Sequence, residues 1–281
     1  RMMHKLLKLP WGMILTVTLL VLVIVGPSIA PYDPIAVDLN NALQGPSAAH
    51  LVGTDQLGRD VFSRLLTGGQ TTVGISLAAL VLSMIVGVPI GLFAGYLGKY
   101  VDWILMRTSD TFMALPEYIV AIVITGLLGP GYVNLLIAIL LVKWVGYARL
   151  ARSVVLQEKT QDYLQAARIS GSSVFRMLRQ HFLPHVVGPV MALATLDLGK
   201  VVLLVASLSF LGLGVPQPSP EWGSMLSEGR TYFAETSLLM FAPGMAILIV
   251  VLATNLVGDK LTEKFSGTQG TEEVIDVATA R

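Results

Sequence analysis

The sequence has no cysteine, which excludes a disulfide scaffold and any metal site built on thiolates. Charge is scarce as well: Asp, Glu, Lys and Arg make up 13% of the 281 residues, about half the share usual in soluble domains, while hydrophobic residues make up 54%. This balance selects a polytopic membrane protein. The net charge of +1 says little, because in such a chain the distribution of charge carries the information. Catalytic signatures are missing too. A P-loop needs G-x-x-x-x-G-K-[ST], but Gly98-Lys99 is followed by Tyr100 and Gly199-Lys200 by Val201, and neither has the upstream glycine. There is no Gly-x-Ser-x-Gly, no His-Glu-x-x-His and no carboxylate pair on a helix face. Nor is there an internal repeat, a low-complexity tract or a second soluble domain, and no nucleic-acid partner is implied.

What the chain does contain is long apolar runs separated by charge clusters. Residues 11–30 form an uncharged run behind Arg1, Lys5 and Lys8, too long for a secretory signal core and therefore read as a retained first span. Pro31, Pro34 and Pro46 break the chain, and Asp33, Asp38, Asp55 and Asp60 outnumber Arg59 and Arg64, so the segment up to Gly69 is expected outside. Further spans are predicted at about 70–98, 103–128, 132–150, 186–212 and 237–258. In the second of these, Gly87, Gly91 and Gly95 recur at four-residue steps, a small-residue stripe that lets another helix approach closely. A flexible gate is the rival reading of the same stripe. The resulting expectation is an all-α bundle of six membrane helices over 1–265, both termini cytoplasmic, followed by a disordered tail over 266–281.

Between the fourth and fifth runs, residues 151–185 form a loop that is polar and basic. From Arg149 to Arg179 the residues Arg149, Arg152, Lys159, Arg168, Arg176 and Arg179 face only Glu158 and Asp162, the mark of a cytoplasmic loop. Its pattern predicts two short helices. One covers Tyr163 to Ile169; Gly171 supplies the turn; Ser172 or Ser173 caps a second helix reaching Arg179, and Pro184 sets a new start. Within it, Gln165-Ala166-Ala167, Gly171, Leu183 and Pro184 stand at the spacing of the EAA loop, with Gln165 in place of Glu and His181 in place of Ile. Gly53-Thr54-Asp55-Gln56-Leu57-Gly58-Arg59-Asp60, Ser209-Phe210-Leu211-Gly212-Leu213-Gly214 and Asn255-Leu256-Val257-Gly258-Asp259 are further matching runs. On these motifs the chain resembles the permease subunits of bacterial ABC importers, in the branch that imports dipeptides, oligopeptides and nickel.

That resemblance implies a type I permease fold in the bacterial inner membrane, and a transport subunit without an ATPase site of its own. It implies coupling to two ATPase subunits through Gln165, Ala166, Ala167, Arg168, Gly171, Leu183 and Pro184. A second homologous permease completes a heterodimer, and an external binding protein delivers the solute. No cofactor is expected on this chain; ATP and Mg would sit on the ATPases. Ala194-Thr195-Leu196-Asp197-Leu198-Gly199 is more similar to nickel and metal-chelate members, which tilts the solute towards those and away from di- or oligopeptides. An ion-coupled secondary transporter is the alternative class, although the inverted repeats or broken spans it should show are not visible.

Several residues invite a sharper reading. Asp197 lies near the middle of the fifth run and Lys200 three residues on, either a buried ion pair or groups lining the translocation path. Arg59, Asp60, Glu221 and Trp222 stand in outer loops and are expected to touch the binding protein. Lys143, about two turns from the inner end of the fourth run, can snorkel to the inner surface, with a functional role as the rival reading. His181 and His185 have the spacing of a metal pair, but Pro184 between them favours ordinary polar contacts, so no metal site is expected. Leu66-Thr67-Gly68-Gly69-Gln70 resembles an ATPase signature loop but falls on the wrong side of the membrane.

Overall fold

The computed structural model describes residues 11–164 and 172–279. Among these residues the backbone is helical without strands, apart from one isolated bridge between Thr54 and Asp60. The main helices are α1 (Trp11–Ile29), α2 (Val61–Leu97), α3 (Lys99–Met113), α4 (Glu117–Leu128), α5 (Tyr132–Glu158), α6 (Val174–Phe210), α7 (Trp222–Arg230) and α8 (Leu238–Thr279). Of the described residues, α2, α5, α6 and α8 are long and apolar enough to cross a membrane, or five spans if α3 and α4 count as one, against the six expected.

Local chemistry explains where these helices differ from the apolar runs. α2 starts nine residues before the run expected at 70, because the Asp60 carboxylate accepts from the Ser63 N–H at 2.8 Å and caps it. The span expected over 103–128 is broken at 114–116, where Pro116 has no N–H to give and disfavours helix at Leu115. Pro184, expected to begin a new helix, does not interrupt α6. The turn Met177–Phe182 winds as a π-helix, with the Leu183 N–H reaching Leu178 O, so the carbonyls ahead of the proline ring are spread apart. Ser173 caps α6 as expected, accepting from the Arg176 N–H. α8 continues through 266–279, where a disordered tail was expected; a helix already nucleated by an apolar span propagates at little cost.

The chain divides into two units, each taking parts of several helices. Unit one comprises Arg1–Ala79, Tyr118–Ala138 and Leu198–Val257. Here Trp222 lies over Gly68 and Gly69, and a Cβ on Gly69 would come within 2.7 Å of its ring. The glycine pair that mimics a signature loop is thus a seat for an indole. Unit two comprises Leu80–Glu117, Ile139–Asp197 and Gly258–Arg281. Its seam is the stripe Gly87, Gly91 and Gly95, which meets the α5 backbone at Trp144, Ala148 and Arg152. The stripe is packing surface. Beside it, Trp144, Val145 and Ala148 form a buried cluster with Ile90, Phe112 and Leu140.

Candidate functional site

The loop between α5 and α6, together with Leu183 and Pro184 near the start of α6, carries seven of the thirteen residues named from the sequence. Gln165, Ala166, Ala167, Arg168 and Gly171 lie outside the described residues. Its two flanks are described, and they are tied down. Lys159 Nζ donates to the Gly95 and Tyr96 carbonyls at 3.2 and 2.8 Å, fixing the end of α5 to the end of α2. The Tyr163 hydroxyl lies 3.3 Å from Glu158 Oε2 and 3.2 Å from His185 Nε2, so it can donate to the carboxylate and accept from the imidazole. Partial burial and the Glu158 charge raise the Tyr163 phenol above its ordinary value, which keeps that donor in place. His185 therefore turns its ring to a tyrosine and a carboxylate. Leu183 is half-buried where the π turn gives way to α-helix, and Pro184 next to it is exposed.

Within the bundle, Asp197 is buried and accepts from the Tyr147 hydroxyl at 3.4 Å. Lys200 is exposed. Lys143 is buried, with its Nζ 2.7 Å from Glu117 Oε2, an acid at the start of α4.

The outer-loop residues named from the sequence make their described contacts within the chain. Arg59, Asp60, Glu221 and Trp222 are all buried. Arg59 Nε binds Asp55 Oδ2 at 2.7 Å and Arg59 Nη2 binds Glu228 Oε2 at 2.7 Å. Arg64, also buried, reaches the same two acids at 3.4 and 3.2 Å. Two guanidiniums and two carboxylates thus form a closed square that anchors α7 to the chain around the start of α2. Asp60 divides its carboxylate between the cap of α2 and His50 Nδ1 at 2.9 Å. Burial of these charges is tolerated because each has a partner of opposite sign, whereas an unpaired one would be strongly destabilising. Asp55, Arg64, His50 and Glu228 were missed as members of the network; the Asp-Gln-Leu-Gly-Arg-Asp run hinted at a local ion pair, but nothing near Glu228 pointed back to it.

Glu221 differs: among the described residues it has no ion pair. It accepts from Ser224 N–H at 2.9 Å, capping α7, and from Thr72 Oγ1 at 2.8 Å. Burial pushes its carboxyl above the ordinary value, against the hydrogen bonds from Gly223, Thr72 and Ser224. Such a group holds its proton more tightly folded than unfolded, so its contribution to stability is lost as pH rises from the ordinary carboxylate value towards the raised one. Glu221→Gln, which stays neutral, is expected to remove that part of the decline; Tm measured against pH for the two proteins checks it.

Comparison with known proteins agrees with this architecture. Residues 87–266 match the family described as the binding-protein-dependent transport system inner membrane component. The chain is 44% identical over 233 residues to the nickel transport system permease protein NikC of Escherichia coli K12, an alignment covering 83% of this chain and 84% of that protein. It is 38% identical over 258 residues to the di/tripeptide transport system permease protein DppC of Pseudomonas aeruginosa UCBPP-PA14, covering 90% and 85%. To the probable D,D-dipeptide transport system permease protein DdpC of E. coli K12 it is 37% identical over 250 residues, covering 89% and 84%. Among solved structures, the MetNI methionine ABC transporter in an inward-facing conformation shares the fold, with a TM-score of 0.57 and 17% identity over 72% of this chain and 95% of that one. On the family match and these relatives, the chain belongs to the binding-protein-dependent transport system inner membrane components.

Proposed function

We propose that this chain is the membrane-spanning permease subunit of an ATP-driven importer whose solute is nickel or a metal chelate in preference to a di- or oligopeptide. The observation that carries the reading is the level of relatedness to such permeases across most of the chain, highest among the relatives described for the nickel permease. In this reading the basic loop between α5 and α6 faces the cytoplasm and docks on an ATPase subunit, and both termini lie on the same side. A second permease, two ATPases and an external binding protein complete the assembly, with ATP and Mg held by the ATPases. ATP binding draws two docked loops together and shifts the spans between inward- and outward-facing states, a population shift driven by differential affinity.

The described flanks support such a lever. Lys159 and the Tyr163, Glu158 and His185 contacts hold the loop's stem rigidly, so a push on the loop reaches α5 and α6 undamped. Gly171, with Ala166 and Ala167, keeps the docking surface shallow, and Arg168 pairs with acid on the ATPase. Replacing Gly171 by tryptophan in the reconstituted assembly is expected to leave ATP hydrolysis running while uptake of nickel chelate falls several-fold. Unchanged uptake would count against the docking assignment. Uptake driven by an ion gradient without ATP would favour the secondary-transporter class, and uptake of dipeptide alone would move the solute to the other branch.

A further inference from the structure

Three contacts set the course of α3. Arg152 Nη2 binds Asp102 Oδ2 at 2.6 Å, Phe112 meets Trp144 edge-on at 5.7 Å between ring centroids, and Glu117, just beyond the break that follows α3, lies 2.7 Å from Lys143 Nζ. As residue number rises along α3 it falls along α5, from 102 to 112 on one helix and from 152 to 144 on the other. α3 therefore runs antiparallel alongside α5 and brings the break at 114–116 to the level of Lys143.

That level lies inside the bilayer. α5 is long and apolar enough to cross a membrane, and Lys143 stands about 16 Å along it from Tyr132 and about 9 Å from Arg149. Two features found there do not suit hydrocarbon. One is the backbone: Met113, Ala114, Leu115, Pro116 and Glu117 are all exposed, residues 114–116 are not helical, and Pro116 has no N–H to return to the Phe112 carbonyl. Non-helical chain at membrane depth is tolerated only where protein buries it or where it lines a water-filled cavity. The other is the carboxylate. Buried Lys143 takes Glu117 Oε2, yet 54% of the Glu117 side chain stays exposed. A charge open to lipid is costly, and the same charge beside water is not.

An unwound turn and an exposed acid together make a surface of one character. It presents hydrogen-bond acceptors, the carboxylate and the carbonyls that close α3, whereas the Lys143 ammonium is withdrawn into the protein. Acceptors at the C-terminal end of a broken helix suit a positively charged guest.

We propose that Glu117 and the carbonyl end of α3 form a contact for the cationic part of the solute inside a water-filled passage, with Lys143 holding the carboxylate in place. The guest is a donor group carrying positive charge: the amine or water ligands of a chelated nickel, or the ammonium of a peptide. The identity of the guest rests on the importer reading; the presence of water at the break does not.

The chain has no cysteine, so Leu115→Cys supplies a single thiol at an exposed position in the break. The complete transporter carrying it is reconstituted into vesicles and treated, with and without ATP, with charged methanethiosulfonate reagents, which stay in water; mass spectrometry of this chain reads the modification. Both reagents are expected to react. Once each rate is divided by that with a small thiol in solution, the trimethylammonium reagent is expected to be several-fold faster than the sulfonate, and Leu115→Cys/Glu117→Gln to lose that preference. Absence of modification would mean that lipid or a partner subunit covers the break, and it overturns the proposal whatever the solute.

ATP-driven uptake with the binding protein present is then measured with nickel supplied with histidine and, separately, with dialanine. Glu117→Gln is expected to lower uptake of the carried solute about tenfold while ATP hydrolysis continues, the loss of one hydrogen bond to a charged group, and Glu117→Asp to recover part of it. Whichever solute shows the fall identifies the source of the cation. Glu117→Gln/Lys143→Met removes both charges of the pair and is expected to keep Tm near the wild-type value and still transport poorly. Restored uptake in that double variant would reduce Glu117 to a counterion for Lys143, and a wild-type rate in Glu117→Gln would remove the contact; either overturns the proposal. A wild-type assembly that carries neither solute refutes the importer reading and this guest with it, while the labelling result stands separately.

Discussion

Gly91→Leu is expected to leave little folded protein. A Cβ at Gly91 falls directly on the Ala148 carbonyl oxygen and 2.8 Å from the Ala151 Cβ, so the obstacle is backbone, which cannot rotate away as a side-chain tip would. Gly87 meets the Trp144 carbonyl and Gly95 meets Val155 in the same manner, so separating the helices at one position loosens the whole seam. Overpacking of this kind costs about 1–3 kcal/mol or more, against a total stability of about 5–15 kcal/mol. Even Gly91→Ala should lower Tm measurably. Gly74 is the control, because a Cβ there meets nothing within 4 Å, and Gly74→Ala should be neutral or gain from helix propensity. Retention of the monodisperse peak on size exclusion after stepped heating orders the three variants. Equal behaviour of Gly91→Ala and Gly74→Ala would mean that the seam can open freely.

Glu228→Ala is expected to be nearly as damaging, for an electrostatic reason. Glu228 Oε2 is shared by Arg59 and Arg64, and both guanidiniums are buried. Without it Asp55 alone faces two cations, and a buried charge stripped of its partner costs about 3–5 kcal/mol. The double change Arg64→Met/Glu228→Leu removes one charge of each sign and leaves Arg59 with Asp55, an i, i+4 pair at 2.7 Å. It should be milder than Glu228→Ala alone. Thermal unfolding of the three proteins checks the order, and a double variant no better than the single one would mean that the square is not closed electrostatically. With Glu228 gone, α7 loses its ionic tie to the segment that starts α2.

Sequence reading succeeded where the signal is local. The Gly87, Gly91 and Gly95 stripe is a property of one helix face, so its period alone foretold close packing. Ser173 as a cap is likewise a property of a few consecutive residues. It failed where two local rules compete. Pro116 sits in an apolar run that continues on both sides, and hydropathy outweighed a proline that in fact breaks the helix. At Pro184 the opposite happened: the proline was read as a break, but a π turn accommodates it. The two sites show that a proline's effect depends on whether the preceding turn can widen.

The residues from Gln165 to Gly171 proposed for coupling were named from motif spacing, and they fall outside the described residues. Their flanks carry the structural argument instead. Tyr163 and His185 are separated by 22 residues, and no pattern linked them.

The amino-acid sequence by itself determined the membrane class, the family and the helix seam in unit two, because hydrophobicity, motif spacing and helical period are all expressed within a short stretch of chain. Tertiary structure alone decided which charges are inside. Arg59 and Glu228 are 169 residues apart, and Lys143 and Glu117 are 26. Whether a charge is solvated or paired depends on what the fold brings within a few ångströms of it, and that distance is not written in neighbouring residues.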